Sequence, residues 1–293
     1  MGLTNAVVNG ILMGSVYALI ALGLTLIFGI MKVVNFAHGA LLMIAMYAAY
    51  FTWLLTKANP YLALVVVAPL MFAIGYLLQR YLIRPVFKAE ADTREPISAL
   101  LLTAGLMVTL ENAALLVFGG DYLTAKTSMT GVTYHLGSVS VSAARLYAFL
   151  ITFAAGGVFH LFLKHTETGR AMRAVGQDRS ASSLMGINVY KIYDIAFGAG
   201  VALLGVAGVV LIPFYYAQPS VGQIFGTRAF ITVVLGGLGS VPGALVGGLL
   251  IGVVESVAAQ FMEATWTQVL INYGFLVFLF IKPSGLFGSP YDS

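Results

Sequence analysis

The chain has 293 residues, of which 60% are hydrophobic and only 9% charged, with a formal net charge of +4 and no cysteine. This balance excludes a soluble globular domain, and the missing cysteines exclude disulfides and thiolate chemistry. The positive charge sits in basic residues clustered in two loops, so it reads as membrane orientation and not as nucleic-acid binding.

Uncharged runs recur at Ala6–Met31, Ala58–Gln79, Leu146–Leu163, Ile195–Thr227, Ala229–Val254 and Ala264–Ile281. Crossing the hydrocarbon core takes about 20 apolar residues. Backbone in lipid must satisfy its own hydrogen bonds, so such runs are helices, and the roughly ten-residue alternating segments of a barrel are absent. The predicted fold is an all-α polytopic membrane bundle of about eight spans, near 6–29, 39–56, 61–82, 97–118, 146–164, 193–213, 243–262 and 265–281. The first run has no Lys or Arg before Lys32 and is expected to be retained, since a cleaved signal needs a basic n-region.

Arg80, Arg84, Lys88 and Arg94 lie in loop 80–96, and Lys164, Arg170, Arg173, Arg179 and Lys191 in loop 164–191. Lys and Arg concentrate on the cytoplasmic side, so both loops are placed there and the N-terminus outside. Segment 119–145 is then external, with strand-like runs such as Val139–Val141.

Two stretches interrupt this pattern: GIMKVVNFAHG (29–39) and GQIFGTRAFITVVLGGLGSVPG (222–243). Each places Gly or Pro at membrane depth ahead of a helix opening on Gly-Ala-Leu. In each half the following span ends on a basic residue before proline, Arg84-Pro85 and Lys282-Pro283. This suggests an inverted repeat of about three spans, and interrupted helices at matching places mark a substrate path in transporters. Asn35, Phe36, His38, Gly39, Gly236, Gly237, Gly239, Pro242 and Gly243 are the candidate path residues, and a half-helix N-terminus there suits a ligand carboxylate. Segment 222–242 reads as re-entrant, because its apolar part Ala229–Leu235 is too short to span. A re-entrant segment puts the C-terminus outside.

Glu111 and Glu255 are read as span-end carboxylates that snorkel or make structural hydrogen bonds, against the functional alternative of proton coupling. His38 either bonds the unwound backbone or contacts the path. His135, His160 and His165 lack partners at metal-ligand spacing. The pairs Gly243/Gly247 and Gly248/Gly252 are small-xxx-small spacings suited to close helix packing.

Loop 165–191 carries most of the polar information. Gly169 can break the preceding span, and Arg170–Val175 and Asp178–Met185 have helix-compatible composition punctuated by Gly176 and Gly186. Small and apolar residues interleave with Arg173, Asp178 and Arg179, which suits a short amphipathic helix docking a soluble partner better than a plain lipid anchor.

The segments NGILMGSVYALIALGLTLIFGI (9–30), VNFAHGALLMIAMY (34–47), TGRAMRAVGQDRSASSLMGINV (168–189), FITVVLGGLGSVPGALVGGLLIG (230–252) and KPSGLFG (282–288) together resemble the permease subunit of bacterial branched-chain (hydrophobic) amino acid ABC importers. The resemblance covers essentially the whole chain. It implies a single transmembrane permease domain over 1–293 in the bacterial inner membrane, with residues 168–189 as the coupling segment: Gly169, Arg170, Arg173, Gly176, Asp178, Arg179 and Gly186. It also implies cytoplasmic ATP-binding subunits that carry ATP and Mg, a second permease subunit and an extracytoplasmic binding protein. No Gly-Lys pair occurs anywhere, so no P-loop can be drawn in this chain. The competing readings are an ion-coupled carrier and a channel for a small solute such as urea or an amide. An enzyme is disfavoured by the lack of any nucleophile or metalloprotease motif.

Overall fold

The computed structural model describes residues 2–89, 97–127, 130–136 and 139–288; Arg94 lies outside them. Helix α1 (Leu3–Met31) ends on Lys32 in the left-handed region, and α2 (His38–Thr56) follows a short break. A 3-10 turn at Pro60–Ala63 leads into α3 (Leu64–Leu78), which passes through a π-helical turn at Gln79–Ile83 into α4 (Arg84–Ala89). Together these form one rod, Pro60–Ala89. After α5 (Ile97–Phe118) a hairpin of β1 (Thr133–Leu136) and β2 (Val139–Ser142) pairs antiparallel, with Tyr134 opposite Val141. The strand-like reading of 139–141 is therefore borne out. Then come α6 (Ala143–His165), α7 (Glu167–Gln177), α8 (Arg179–Leu184) and α9 (Val189–Leu211). The chain ends with α10 (Val221–Gly236), α11 (Val241–Ala258) and α12 (Ala264–Ile281). Eight helices are long and apolar enough to cross a membrane, and α10 is a shorter apolar helix of 16 residues. The predicted all-α polytopic fold is the fold observed.

The bundle is organised around α1 and α9, which are nearly enclosed, while α5 and α12 are mostly exposed. Lipid supplies no hydrophobic force between helices, so close packing of small residues replaces it. A Cβ on Gly248 would lie 2.5 Å from Ala18 Cα, so α11 rests directly on the α1 backbone. Gly75 and Gly198 let the α3 rod meet α9 in the same way.

Contacts along the helices fix their directions. Gly10 of α1 meets Val253 of α11, and Gly14 meets Gly248 and Leu249, so α11 runs antiparallel to α1. Helix α10 runs with α1: Arg228 lies over Tyr17, and just beyond the α10 C-terminus Gly239 meets Gly29. The N–H groups of Leu286 and Phe287 donate to the Leu235 and Gly236 carbonyls at 2.8 and 3.0 Å. The C-terminal segment therefore lies at the same end as the α1 C-terminus and α7. The re-entrant expectation and the external C-terminus are corrected. Irregular residues 212–220 descend from the outer end and α10 completes the crossing, so a short apolar run suffices.

The internal repeat changes sense for the same reason. Tyr61, at the start of the α3 rod, donates to the Ala144 carbonyl at the start of α6, where Arg145 reaches Asn9 of α1. Helix α2 therefore climbs toward the α1 N-terminus, as α11 does. The two Gly-Ala-Leu helices run in one direction, and Arg84-Pro85 and Lys282-Pro283 share one face. The blocks α1–α2–α3 and α10–α11–α12 are related in parallel, not inverted.

Lys32, Arg84, Lys88, Arg173, Arg179 and Lys282 gather at the α7 end, and only Lys57, Lys126 and Arg145 at the other among the described residues. By the positive-inside rule the α7 end is cytoplasmic. The native chain has no cysteine, so single cysteines report cleanly. In intact cells, Ser180→Cys should resist a membrane-impermeant maleimide and Thr130→Cys should react, both positions being exposed. The opposite labelling would invert the topology.

Candidate functional site

The first break lies near the mid-height of α1. Asn35 Oδ1 accepts from Ala37 N at 3.1 Å and the Asn35 carbonyl accepts from His38 N at 3.3 Å, which closes the turn that starts α2. His38 Nε2 lies 2.9 Å from the Ile20 carbonyl. A carbonyl only accepts, so Nε2 carries the proton and Nδ1 is left as an acceptor. Phe36 N donates to Thr103 Oγ1 at 3.2 Å, tying the break to α5. Here α2 crosses the start of α10 backbone to backbone: a Cβ on Gly222 would lie 2.6 Å from the Gly39 carbonyl oxygen.

A cavity of about 370 Å³ opens at this crossing. The structure brings four candidate path residues to it, Asn35, Phe36, His38 and Gly39. It adds Gln223, Gly226, Thr227 and Phe230 of α10, which lie in the interrupting stretch 222–243 but are not among the candidate path residues. At its edge Gln223 Nε2 donates to Glu111 Oε2 at 2.9 Å, joining α10 to α5.

The second break is elsewhere. Gly237 and Gly239 adopt φ of +103° and +82°, conformations that favour glycine, and turn the chain at the cytoplasmic end. Ser240 Oγ caps α11 by accepting from Gly243 N at 3.2 Å, with Pro242 in the first turn. Gly236 packs against the Gly243 backbone. Gly239 lines a separate cavity of about 290 Å³ with Lys32, Arg173 and Gly176. Gly236, Gly237, Pro242 and Gly243 do not line the mid-membrane cavity. The two interruptions lie at different depths because α2 starts within the membrane and α11 starts at its face.

Beside the second break the chain forms a cytoplasmic elbow. Thr166 Oγ1 accepts from Gly169 N at 3.0 Å and starts α7, while Gly169 presses on the Leu163 backbone. Met172 and Val175 are buried, and Gly176 approaches the Gly29 carbonyl, so α7 is fixed on the end of α1. Arg170, Arg173 and Asp178 are exposed. Asp178 Oδ1 accepts from Ala181 N at 2.9 Å and caps α8. Arg179 is half-buried and donates to the Tyr190 hydroxyl at 3.3 Å. Gly186, at φ +81°, turns the chain toward α9. The candidate coupling residues thus divide: Gly169, Gly176, Gly186 and Arg179 shape the elbow, whereas Arg170 and Arg173 face outward. At the tip stand Leu184, the last residue of α8, and Met185 just beyond it, 89% and 82% exposed on a segment outside the membrane spans.

Two ion pairs reinforce this frame. Arg228 donates through Nε to Glu255 Oε2 at 3.0 Å and through a second nitrogen to Oε1, joining α10 to α11. Arg84 donates to Asp194 Oδ2 at 3.0 Å, joining the α3–α4 rod to α9. The expectation that Glu111 and Glu255 make structural hydrogen bonds is met by Gln223 and Arg228. Among the described residues no group of three or more His, Cys, Asp or Glu could hold a metal.

Residues 6–280 match the family described as branched-chain amino acid transport system / permease component. The chain is 32% identical over 299 residues to the high-affinity branched-chain amino acid transport system permease protein LivH of Escherichia coli K12, covering 96% of this chain and 94% of that one. It is 33% identical over 304 residues to the corresponding permease protein BraD of Pseudomonas aeruginosa, covering 97% and 95%. A shorter likeness, 30% over 131 residues and 42% of this chain, extends to the fructose import permease protein FruG of Bifidobacterium longum. No solved structure matches. With eight apolar helices and full-length bacterial permease relatives, this is a multi-pass inner-membrane protein. The match spans nearly the whole bundle, including both helix breaks and the elbow, and the chain belongs to the permease-component family of branched-chain amino acid transport systems.

Proposed function

We propose that the chain is the membrane-spanning subunit of an ATP-driven importer that carries branched-chain or other hydrophobic amino acids into the cytoplasm. An extracytoplasmic binding protein delivers the cargo to the hairpin end. A second permease subunit completes the membrane core, and separate cytoplasmic subunits bind ATP and Mg and hydrolyse the nucleotide. The relatives' roles support the cargo class, and the elbow carries the mechanism. Helix α7 is buried against the end of α1, so force applied at Leu184 and Met185 is delivered to α1 and the second break. A self-sufficient carrier has no use for an exposed apolar tip on an elbow that also exposes Arg170 and Arg173.

Apolar anchors in the centre of an interface carry more energy than rim charges. Leu184→Asp with Met185→Asp should therefore abolish co-purification of the ATP-binding subunits while the bundle still inserts. Arg173→Ala should weaken it only slightly. Asp178→Ala should act through loss of the α8 cap, at about 1 kcal/mol. Undiminished co-purification of the double variant would remove the elbow from the coupling path.

A further inference from the structure

Resting on the importer reading, we infer that the mid-membrane cavity is a zwitterion site for the α-amino acid itself. The carboxylate lies between the N-terminal turns of α2 and α10 and the ammonium at Glu111.

The N-terminal turns of α2 and α10 meet at Gly39 and Gly222. Both helices are long, 19 and 16 residues, and neither has a side-chain cap, a feature shared with α1, α3, α6 and α12. The N–H groups of His38, Val221 and Gln223 donate to the Asn35, Gln218 and Ser220 carbonyls, which leaves those of Gly39, Ala40 and Gly222 without a backbone acceptor among the described residues, and the helix dipole favours an anion there. An independent sign of a ligand is Asn35. It is 3% exposed and lines the cavity; its Oδ1 is engaged with Ala37 N, and its Nδ2 is buried without a partner. A buried donor left unmade is costly unless a ligand satisfies it. Among the described residues no Lys or Arg lines the cavity, so an anion here is held by helix dipoles and neutral donors.

The opposite charge is also provided. Glu111 stands one helical turn beyond the cavity-lining Met107, and its Oε2 accepts from cavity-lining Gln223. Its Oε1 is buried without a partner, and the described residues place no cation on it, since the only arginine of α10, Arg228, is committed to Glu255. An ammonium would satisfy that oxygen. Gln223, in the first turn of α10, holds Glu111, so both poles meet at that turn; Leu24, Met107 and Phe230 supply an apolar wall for the side chain, and about 370 Å³ falls within the range of small-ligand pockets. Donors and a carboxylate that meet at one helix N-terminus, with an apolar wall beside them, match an α-amino acid, whose two charges share one carbon and whose side chain is apolar. They do not match a sugar or a bare cation.

The test uses the assembled importer in nanodiscs, without binding protein. Photo-leucine, which keeps both charges and carries a diazirine on its side chain, is irradiated and the label mapped by mass spectrometry. Label should fall on residues 34–40, 104–111 and 222–230. Leucine should compete for it, and leucinamide (no carboxylate) and 4-methylpentanoate (no ammonium) should not. Label elsewhere, or equal competition by all three compounds, overturns the site. In proteoliposomes with binding protein, Glu111→Gln should lower leucine uptake by about tenfold or more. ATP hydrolysis stimulated by loaded binding protein should persist, and Glu111→Asp should recover part of the uptake. Wild-type uptake in Glu111→Gln refutes the ammonium assignment. A native complex that imports no amino acid refutes the importer reading and this site with it. Uptake by the native complex with unaltered variants refutes the site alone.

Discussion

Replacing Arg228 by Leu should destabilise the bundle by roughly 3–5 kcal/mol, the cost of leaving a partly buried charge without its partner. The guanidinium meets both Glu255 oxygens and lies 5.7 Å from the Tyr17 ring centre, so one side chain links α10, α11 and α1. Its removal leaves Glu255 with no cation among the described residues. The double variant Arg228→Leu with Glu255→Leu removes both charges and should recover to within about 1 kcal/mol of the native protein, since an apolar pair of similar volume commonly replaces an ion pair without loss. Unfolding midpoints in one detergent, arranged as a double-mutant cycle, give the comparison. Equal loss in the single and double variants would mean that the arginine acts by packing and not by pairing with Glu255.

Gly248→Leu should be strongly disruptive at the α1–α11 crossing. Even a Cβ at that position would lie 2.5 Å from Ala18 Cα, which is backbone and cannot rotate away. Overpacking typically costs about 1–3 kcal/mol, and more where the obstacle is rigid. Gly248→Ala should fall near the middle of that range, and Gly248→Leu should fail to give a folded monomer. Gly157→Ala is the control. Nothing lies within 4 Å of its Cβ position, so its midpoint should change by less than about 1 kcal/mol. Size-exclusion profiles and thermal midpoints of the three variants check the order. Equal tolerance at 248 and 157 would show that α1 and α11 do not touch as described.

The span pattern, the outer hairpin and the elbow were legible in the sequence because each is a local property: run length, strand composition, or glycines bracketing a short polar helix. The depth of each break was not legible. Asn35–Gly39 and Gly236–Gly243 look alike in sequence, yet only the first lines the mid-membrane cavity. Depth depends on which neighbour stops the helix: Gly222 for α2, and the C-terminal segment around Gly288 for Gly237. Arg228 escaped notice because it separates two uncharged runs, Ile195–Thr227 and Ala229–Val254, and reads as a boundary; its partner is 27 residues away. Asp194 pairs with Arg84 across 110 residues, and no local pattern announces that contact. The sense of the repeat followed from one short helix, α10, whose crossing depends on irregular residues 212–220 that hydropathy does not recognise.

On the proposed importer reading, this bundle moves its cargo only when ATP-binding subunits work the elbow. The direct measurement is uptake of radiolabelled leucine into proteoliposomes holding the binding protein, the permease core and the ATP-binding subunits. They are compared with vesicles holding the permease core alone under an imposed proton or sodium gradient. Uptake should need ATP and disappear in the Leu184→Asp, Met185→Asp variant, with none driven by either gradient. Gradient-driven uptake by the permease core alone would contradict it.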